Sequence, residues 1–482
     1  MNLRPAVWTQ APGLSEPAGK VEVKAPFDGQ VIAAVETSTP QALAQAMDRA
    51  AALFTDREAW LPTPERIQIL DRLGQLMQAQ ADELAVEAAR EGGKPLTDSQ
   101  VEVQRAIDCA RICTETLRSQ AGDMVPMNVS PSSAGRLALT LPEPIGPVLA
   151  VSAFNHPLNL IAHQVLPAFA VGAPVIVKPA RSTPLSCWRL CALLAEAGAP
   201  DGWVTPLLPD SNAAFADVIE DARLGFFSFI GSAKVGFKLQ KQLAPGVRSA
   251  LEHGGVAPVI VREDADLDKV LPGLVKGSFY HAGQVCVSVQ RIFVARSRAE
   301  ELTQRLVQAA QALKLGDPIE HDTEVGPLIA VEERDRVAEW VSEAVAAGAQ
   351  LLCGGQAQGY AGYSPTVLLN PPDQVRVSTD EVFGPVVCVY PVDDDAEALS
   401  RANQLPVSFQ AAVCTQDVDA ALHLARSLKA QAVMVNDHTA FRVDWMPFGG
   451  QQQSGYGLGG IPYSMAEMQV QKMVVIQSAA LR

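Results

Sequence analysis

Across 482 residues the chain has no uninterrupted apolar stretch of the ~20 residues that a membrane-crossing helix needs. Its longest apolar run, Val165 to Val177, is broken by Pro167, Gly172 and Pro174. Met1 to Gly19 lacks the apolar core of a secretory leader, so the expectation is a cytoplasmic protein with no membrane association. Histidine is scarce: the seven present show no ligand spacing, and no metal is expected. Eight cysteines in so long a chain make no disulfide framework. Cys109/Cys113 and Cys187/Cys191 each lie one helical turn apart and read as buried helix cysteines. Positive charge is in deficit: 38 Lys and Arg against 53 Asp and Glu give a net charge of −15, which argues against nucleic acid or an anionic membrane as partner. Internal repeats and low-complexity tracts are absent.

What is present is an ordinary large globular composition, 48% hydrophobic and 19% charged. Domains of ~100–200 residues suggest two or three. Thr63-Pro64 reads as the start of a long helix, with Ile67, Leu70, Leu73, Met77 and Leu84 at helical spacing and Gly92-Gly93 as its stop. From about residue 146 the texture changes. Short apolar runs at Pro147–Val151, Pro174–Val177, Phe226–Ile230 and Val259–Val261 alternate with helical stretches such as Asn159–Val171. That alternation predicts a parallel sheet covered on both faces, with ligands at the carboxyl ends of its strands. A second alternation from about 256 to 450 predicts a second α/β domain.

The candidate chemistry follows those strands. Gly283-Gln284-Val285-Cys286 lies between a helix and a strand, where a thiol can face a cleft, although an isolated cysteine is more often a core residue. Leu251-Glu252-His253-Gly254-Gly255 offers a carboxylate beside paired glycines, a general base or a plain turn residue. Asn155, after the 147–151 strand, has an amide able to donate to a developing oxyanion, or simply shapes a turn. Lys178 ends a strand and can reach the ribose or phosphate of a nucleotide. Gly231-Ser232 opens a helix, whose amides suit a phosphate. Gly455-Tyr456-Gly457-Leu458-Gly459-Gly460 satisfies G-x-G-x-x-G. It is expected neither to follow a strand nor to open a helix, because Ile461-Pro462 comes next, and so not to be a nucleotide loop.

In order and spacing the set resembles the aldehyde dehydrogenase superfamily over nearly the whole chain. The carriers are Glu252-His253-Gly254-Gly255, then Cys286 a further 34 positions on, with Phe154-Asn155, Val177-Lys178-Pro179 and Phe229-Ile230-Gly231-Ser232 before them. Glu381-Val382-Phe383-Gly384-Pro385, Val435-Asn436 and Pro447-Phe448-Gly449-Gly450 follow. The resemblance implies an α/β fold with a Rossmann-like cofactor domain (1–125 and 146–254), an α/β catalytic domain (255–452) and a small β arm for oligomerisation (126–145 and 453–482), as a homodimer or homotetramer. It implies oxidation of an aldehyde to the carboxylic acid with NAD or NADP. Cys286 attacks the aldehyde, Asn155 and the Cys286 amide hold the oxyanion, and Glu252 activates the water that hydrolyses the thioester. Lys178 and Ser232 in Gly231-Ser232 would hold the adenosine ribose and pyrophosphate, Glu381 the nicotinamide ribose, and Phe383 would pack near the ring.

Three departures stand out. Arg181 lies three residues after Lys178, where NAD-preferring members often carry Glu, which points to tolerance of NADP. Leu207–Asn212 replaces a usual glycine-rich stretch. His253 and Val256 differ from the commonest glutamate motif. Arg442, before Pro447-Phe448-Gly449-Gly450, could pair with an anionic group on the substrate with help from His156, or serve only as a structural arginine. A CoA-acylating member and a catalytically silent protein on the same fold are the alternatives. Glu252 argues against the first, and the joint presence of Cys286, Glu252 and Asn155 against the second.

Overall fold

The computed structural model describes residues 6–481. Strands Ala6–Trp8, Gly19–Lys24 and Val31–Thr37 form a three-stranded lead sheet with Val31–Thr37 in the middle, and a run of helices follows to Ser119. The helix beginning at Thr63 has Pro62 as its N-cap and ends at Ala79. The chain bends at Gln80 (φ −112°, ψ 18°) and resumes as Ala81–Gly92, with Gly93 closing it at φ 74°. The single helix expected from spacing is therefore two. The bend lets both halves lie against Leu96–Ser119, a packing requirement that local periodicity does not encode.

Two sheets dominate. The first has the order Gly455–Tyr456, Arg248–Glu252, Phe226–Ile230, Val148–Val151, Val175–Lys178, Val204–Pro206, all parallel except the first. Val148–Val151 is buried at every position, as a strand covered on both faces must be. The helix Asn159–Val171 is buried along its whole length, which matches its nearly all-apolar sequence. The second sheet has the order Gln350–Cys353, Thr366–Leu369, Val386–Val392, Arg291–Ala295, Pro258–Val261, Gln410–Cys414, Ala432–Val435. It is again parallel but for its first strand.

Met124–Val125, Arg136–Pro144 and Gln469–Gln477 form a separate antiparallel ribbon, paired from Gln469 opposite Pro144 to Gln477 opposite Arg136. The segment 453–482 divides. Gly455–Tyr456 extends the first large sheet, Ile461–Glu467 packs on Asn159–Val171, and only Gln469–Gln477 joins the ribbon. The expectation that Ile461-Pro462 precludes a helix is corrected. Pro462 sits in the first turn of Ile461–Glu467, where its missing N–H has no partner to lose. The glycines before it serve close approach. A Cβ on Gly455 would strike the Leu251 carbonyl, and one on Gly459 the Glu252 carboxylate. Among the described residues no helix is long and apolar enough to cross a membrane.

Glu91, at the end of Ala81–Gly92, is fully buried. It accepts from the Leu185 and Ser186 amides at 2.8 Å each and from the Ser186 hydroxyl, so it caps the helix Leu185–Ala197 from a neighbouring helix. Glu91→Ala strands two buried N–H groups. The expected loss is about 3 kcal/mol, read as a lower thermal midpoint, with Glu91→Gln losing less because it keeps an acceptor. Equal midpoints for parent and Ala variant would contradict this capping role.

Candidate active site

Cys286 is delivered by an unusual turn. After the helix Leu267–Phe279 the backbone passes through His281 (φ 49°), Ala282 (φ 54°) and Gly283 (φ 70°), three successive left-handed residues. For the two that bear a Cβ, this conformation costs on the order of 1–3 kcal/mol each. Gly283 is required twice over, because a Cβ there would also overlap the Gly384 carbonyl. Gln284 pins the turn: its Oε1 accepts the Ile329 amide at 2.9 Å and its Nε2 donates to Pro327 O at 3.2 Å. Cys286 then sits against Val285, Val287 and Phe448. Burial first, and then the charge on Glu381, push its thiol up to about 12, while Arg442 acts in the opposite direction.

The carboxyl ends of the first large sheet face this turn. Asn155 and His156 follow Val148–Val151, Lys178 ends Val175–Lys178, Gly231-Ser232 follows Phe226–Ile230, and Glu252 ends Arg248–Glu252. These residues, with Cys286, Glu381, Phe383 and Arg442, line one cleft of about 560 Å³. Asn155 Nδ2 donates to the Gln284 carbonyl at 2.8 Å, which orients its amide and leaves the second N–H hydrogen free. Burial raises Glu252 above the usual carboxylate range, opposed by Arg442. Gly254 lacks a side chain where the Glu381 carboxylate approaches, and burial pushes that carboxyl up to about 8. Phe383 meets Phe154 edge-on at 5.7 Å. His253, the odd residue of the glutamate motif, accounts for itself: its Nδ1 bonds the Gly231 carbonyl at 2.9 Å. Arg181 alone of the candidate catalytic, cofactor and substrate residues lies outside the cleft lining. It is exposed and donates to Pro209 O at 3.0 Å.

Several polar groups in the cleft are left without partners. Glu381 Oε1 and Ser152 Oγ are buried and unbonded, and the Ser232 hydroxyl makes no bond with the helix Ala233–Gln240 that it opens. Lys178 is lowered by burial and then by the nearby Arg181 charge. Hydroxyls and phosphates on a bound group would satisfy this donor and acceptor set.

Sequence reasoning missed the far wall. Arg105, from the helix Leu96–Ser119, also lines the cleft and grips Asp444 with Nε at 3.1 Å and Nη2 at 2.5 Å. Asp444 bonds His163 Nε2 at 2.8 Å, and His163 Nδ1 lies 3.3 Å from Arg442 Nη2. Burial alone would raise Asp444, but His163 and Arg105 outweigh it and hold the group well below the carboxylate range. His163 is lowered to about 4 by burial and then by Arg442. It is therefore uncharged, donating to Asp444 and accepting from Arg442. Cys109, His163 and Asp444 could converge on a cation, but the adjacent Arg105 and Arg442 disfavour one. Arg442 stacks 3.6 Å over the Phe448 ring, its Nε is buried without a partner, and its guanidinium touches no carboxylate among the described residues. Nothing local in the sequence marks Arg105; only the packing of its helix brings it here.

Comparison with known proteins gives one answer. A family model described as "Aldehyde dehydrogenase family" matches residues 14–474. The 3-sulfolactaldehyde dehydrogenase of Priestia aryabhattai is 35% identical over 464 residues, 95% of each chain. The lactaldehyde dehydrogenase of Methanocaldococcus jannaschii is 34% identical over 460 residues, 95% of this chain and 97% of that one. Among solved structures, aldehyde dehydrogenase 21 from Physcomitrella patens, in complex with the reaction product succinate, superposes with TM-score 0.94 at 33% identity over 99% of both chains. Glyceraldehyde-3-phosphate dehydrogenase from M. jannaschii, complexed with NADP, superposes with TM-score 0.91 at 33% identity, covering 96% of this chain and 100% of that one. The family model and these relatives match nearly the whole length, and the chain belongs to the aldehyde dehydrogenase family.

Proposed function

We propose that the protein oxidises an aldehyde bearing an anionic group to the carboxylic acid, through a thioester on Cys286, with NAD or NADP as acceptor. The observation that carries the reaction class is the convergence of Cys286, Glu252 and Asn155 on one cleft. Cys286 Sγ bonds to the aldehyde carbon as the thiol proton passes to solvent water in the cleft. The free N–H of Asn155 Nδ2 and the Cys286 amide donate to the oxygen that gains charge. Lys178, Ser232 and Glu381 would hold the hydroxyls and phosphates of NAD or NADP, which when bound would supply the hydride acceptor for that carbon. NADP and NAD+ in the related structures, M. jannaschii glyceraldehyde-3-phosphate dehydrogenase and Staphylococcus aureus betaine aldehyde dehydrogenase, support that choice. Glu252, raised by burial, is a stronger proton acceptor than an ordinary carboxylate once ionised, and takes a proton from the water that attacks the thioester.

Substrate charge follows from Arg442. A half-buried cation whose Nε is enclosed and which no carboxylate contacts is costly, and an anion on the substrate offsets that cost. The relatives differ here, since 3-sulfolactaldehyde is anionic and betaine aldehyde cationic, and the unpaired guanidinium favours the former. Residues 1–125 and 146–254 serve the cofactor and 255–452 the catalytic thiol. The ribbon, with Met473, Val475 and Ile476 exposed, meets a second copy in a cytoplasmic homodimer or homotetramer.

Three outcomes test this reading. Glu252→Gln gives a pre-steady-state burst of reduced cofactor followed by slow turnover, whereas Cys286→Ala gives neither but still binds cofactor. Loss of the burst in Glu252→Gln would mean that this carboxylate also takes the thiol proton. Arg442→Ala lowers kcat/KM for a carboxylated aldehyde by roughly ten- to a hundredfold relative to an uncharged one, the size of one charge-assisted hydrogen bond; equal losses sink the anion assignment. NADP is accepted at a kcat/KM within about fivefold of NAD, and Arg181→Glu shifts the ratio toward NAD, because an exposed charge pair contributes only ~1 kcal/mol. An unchanged ratio would mean that the bonds from Arg181 to the 209–210 carbonyls are its whole role.

A further inference from the structure

Beside Asn155 lies a buried ion pair that the reaction just described does not use. Lys94 and Glu102 are both fully buried and bonded to each other. The other Glu102 oxygen accepts the Leu158 and Asn159 amides at 2.9 Å each, where the helix Asn159–Val171 opens. An ammonium and two helix-start amides are thus the partners of this carboxylate. Lys94 Nζ also lies 2.9 Å from Nδ1 of His156. An ammonium only donates, so Nδ1 accepts and the ring proton sits on Nε2. His156 lines the cleft directly after Asn155, with Tyr280 and His281 ring centroids at 5.9 and 6.0 Å, so Nε2 is the nitrogen left for a ligand. Burial first, and then the Lys94 charge, hold His156 well below the usual histidine range. His281, Arg105 and Arg442 act the same way, which covers the turn before Cys286, the helix Leu96–Ser119 and the loop at 442. An uncharged ring cannot pair with an anion as Arg442 can, but it can donate one hydrogen bond.

We infer that His156 is a specificity-determining residue whose Nε2–H donates to an oxygen on the carbon next to the aldehyde, held in that tautomer by Lys94 as a positioning residue, so that 2-hydroxyaldehydes are preferred to their deoxy counterparts. The inference rests on the reading of Asn155 at the aldehyde oxygen, with His156 lining the same cleft beside it.

The probes are 2-hydroxypropanal and propanal, compared by kcat/KM in the holoenzyme. The parent prefers 2-hydroxypropanal by roughly tenfold, the size of one uncharged hydrogen bond. His156→Phe abolishes that preference and His156→Gln, which restores a donor, recovers part of it. Lys94→Met releases the tautomer, so the preference falls and the ionisation of His156, relieved of the Lys94 charge, moves up from its position in the parent. If Lys94→Met does not fold, the His156 pair still decides the matter. A preference unchanged in His156→Phe overturns the inference while leaving the thioester reading intact. A Cys286→Ala variant that still turns over both aldehydes overturns the thioester reading instead.

Discussion

One buried hydrogen bond across the active cleft fixes both the amide and the cysteine turn: Asn155 Nδ2 to the carbonyl of Gln284. Asn155 lies in the loop that follows the strand Val148–Val151 of the six-stranded sheet, and Gln284 belongs to the turn that hands Cys286 over from the other half. Without that bond the amide would have no fixed direction, and the turn would lose a constraint on a backbone already held at three left-handed residues. The same junction explains the motif glycines. Gly283 admits the Gly384 carbonyl and Gly254 admits the Glu381 carboxylate, so the cysteine, glutamate and Glu-Val-Phe-Gly-Pro segments touch because side chains are missing where they meet.

Around that junction the cleft concentrates buried charge. Arg105, Asp444, His163 and Arg442 form a chain in which Arg105 and Asp444 offset each other and His163 is uncharged, leaving the Arg442 cation in excess. Lys94 and Glu102 offset each other behind His156. Removing such charges from water costs several kcal/mol per ion unless they are paired. The wall therefore carries a standing electrostatic imbalance of one sign, while Cys286 and Glu381 are held in their uncharged forms by burial. A thiol raised to about 12 is not a thiolate at rest, so the nucleophile depends on a nearby proton acceptor or on the charge that arrives with its ligands.

The two histidines on this wall have complementary roles because their partners differ. His163 is fixed by a carboxylate on Nε2 and so accepts from Arg442 on Nδ1. His156 is fixed by an ammonium on Nδ1 and so presents Nε2–H. Residue type alone says nothing of this. The tautomer of each ring is set by a group distant in sequence, Asp444 in one case and Lys94 in the other.

What the sequence by itself determined was whatever local rules reach: the apolar strands, the helix Asn159–Val171 and the glycines flanking Glu252 and Cys286, because steric and hydrophobic constraints act on neighbours along the chain. Read together, the motifs also carried the family, and the candidate site residues other than Arg181 line one cleft. Local rules failed at Gln80, where two helix halves bend to share one partner helix, and at Ile461, where a proline was read as a stop although it suits a first turn. Arg105, Lys94, His163 and Asp444 were illegible, and so were the bonds that tie Arg181 to the 209–210 carbonyls. Only the tertiary structure decided these, since the energy of a charge or a hydrogen bond depends on what lies within a few ångströms in space, and for these residues those neighbours are as much as hundreds of positions away along the chain.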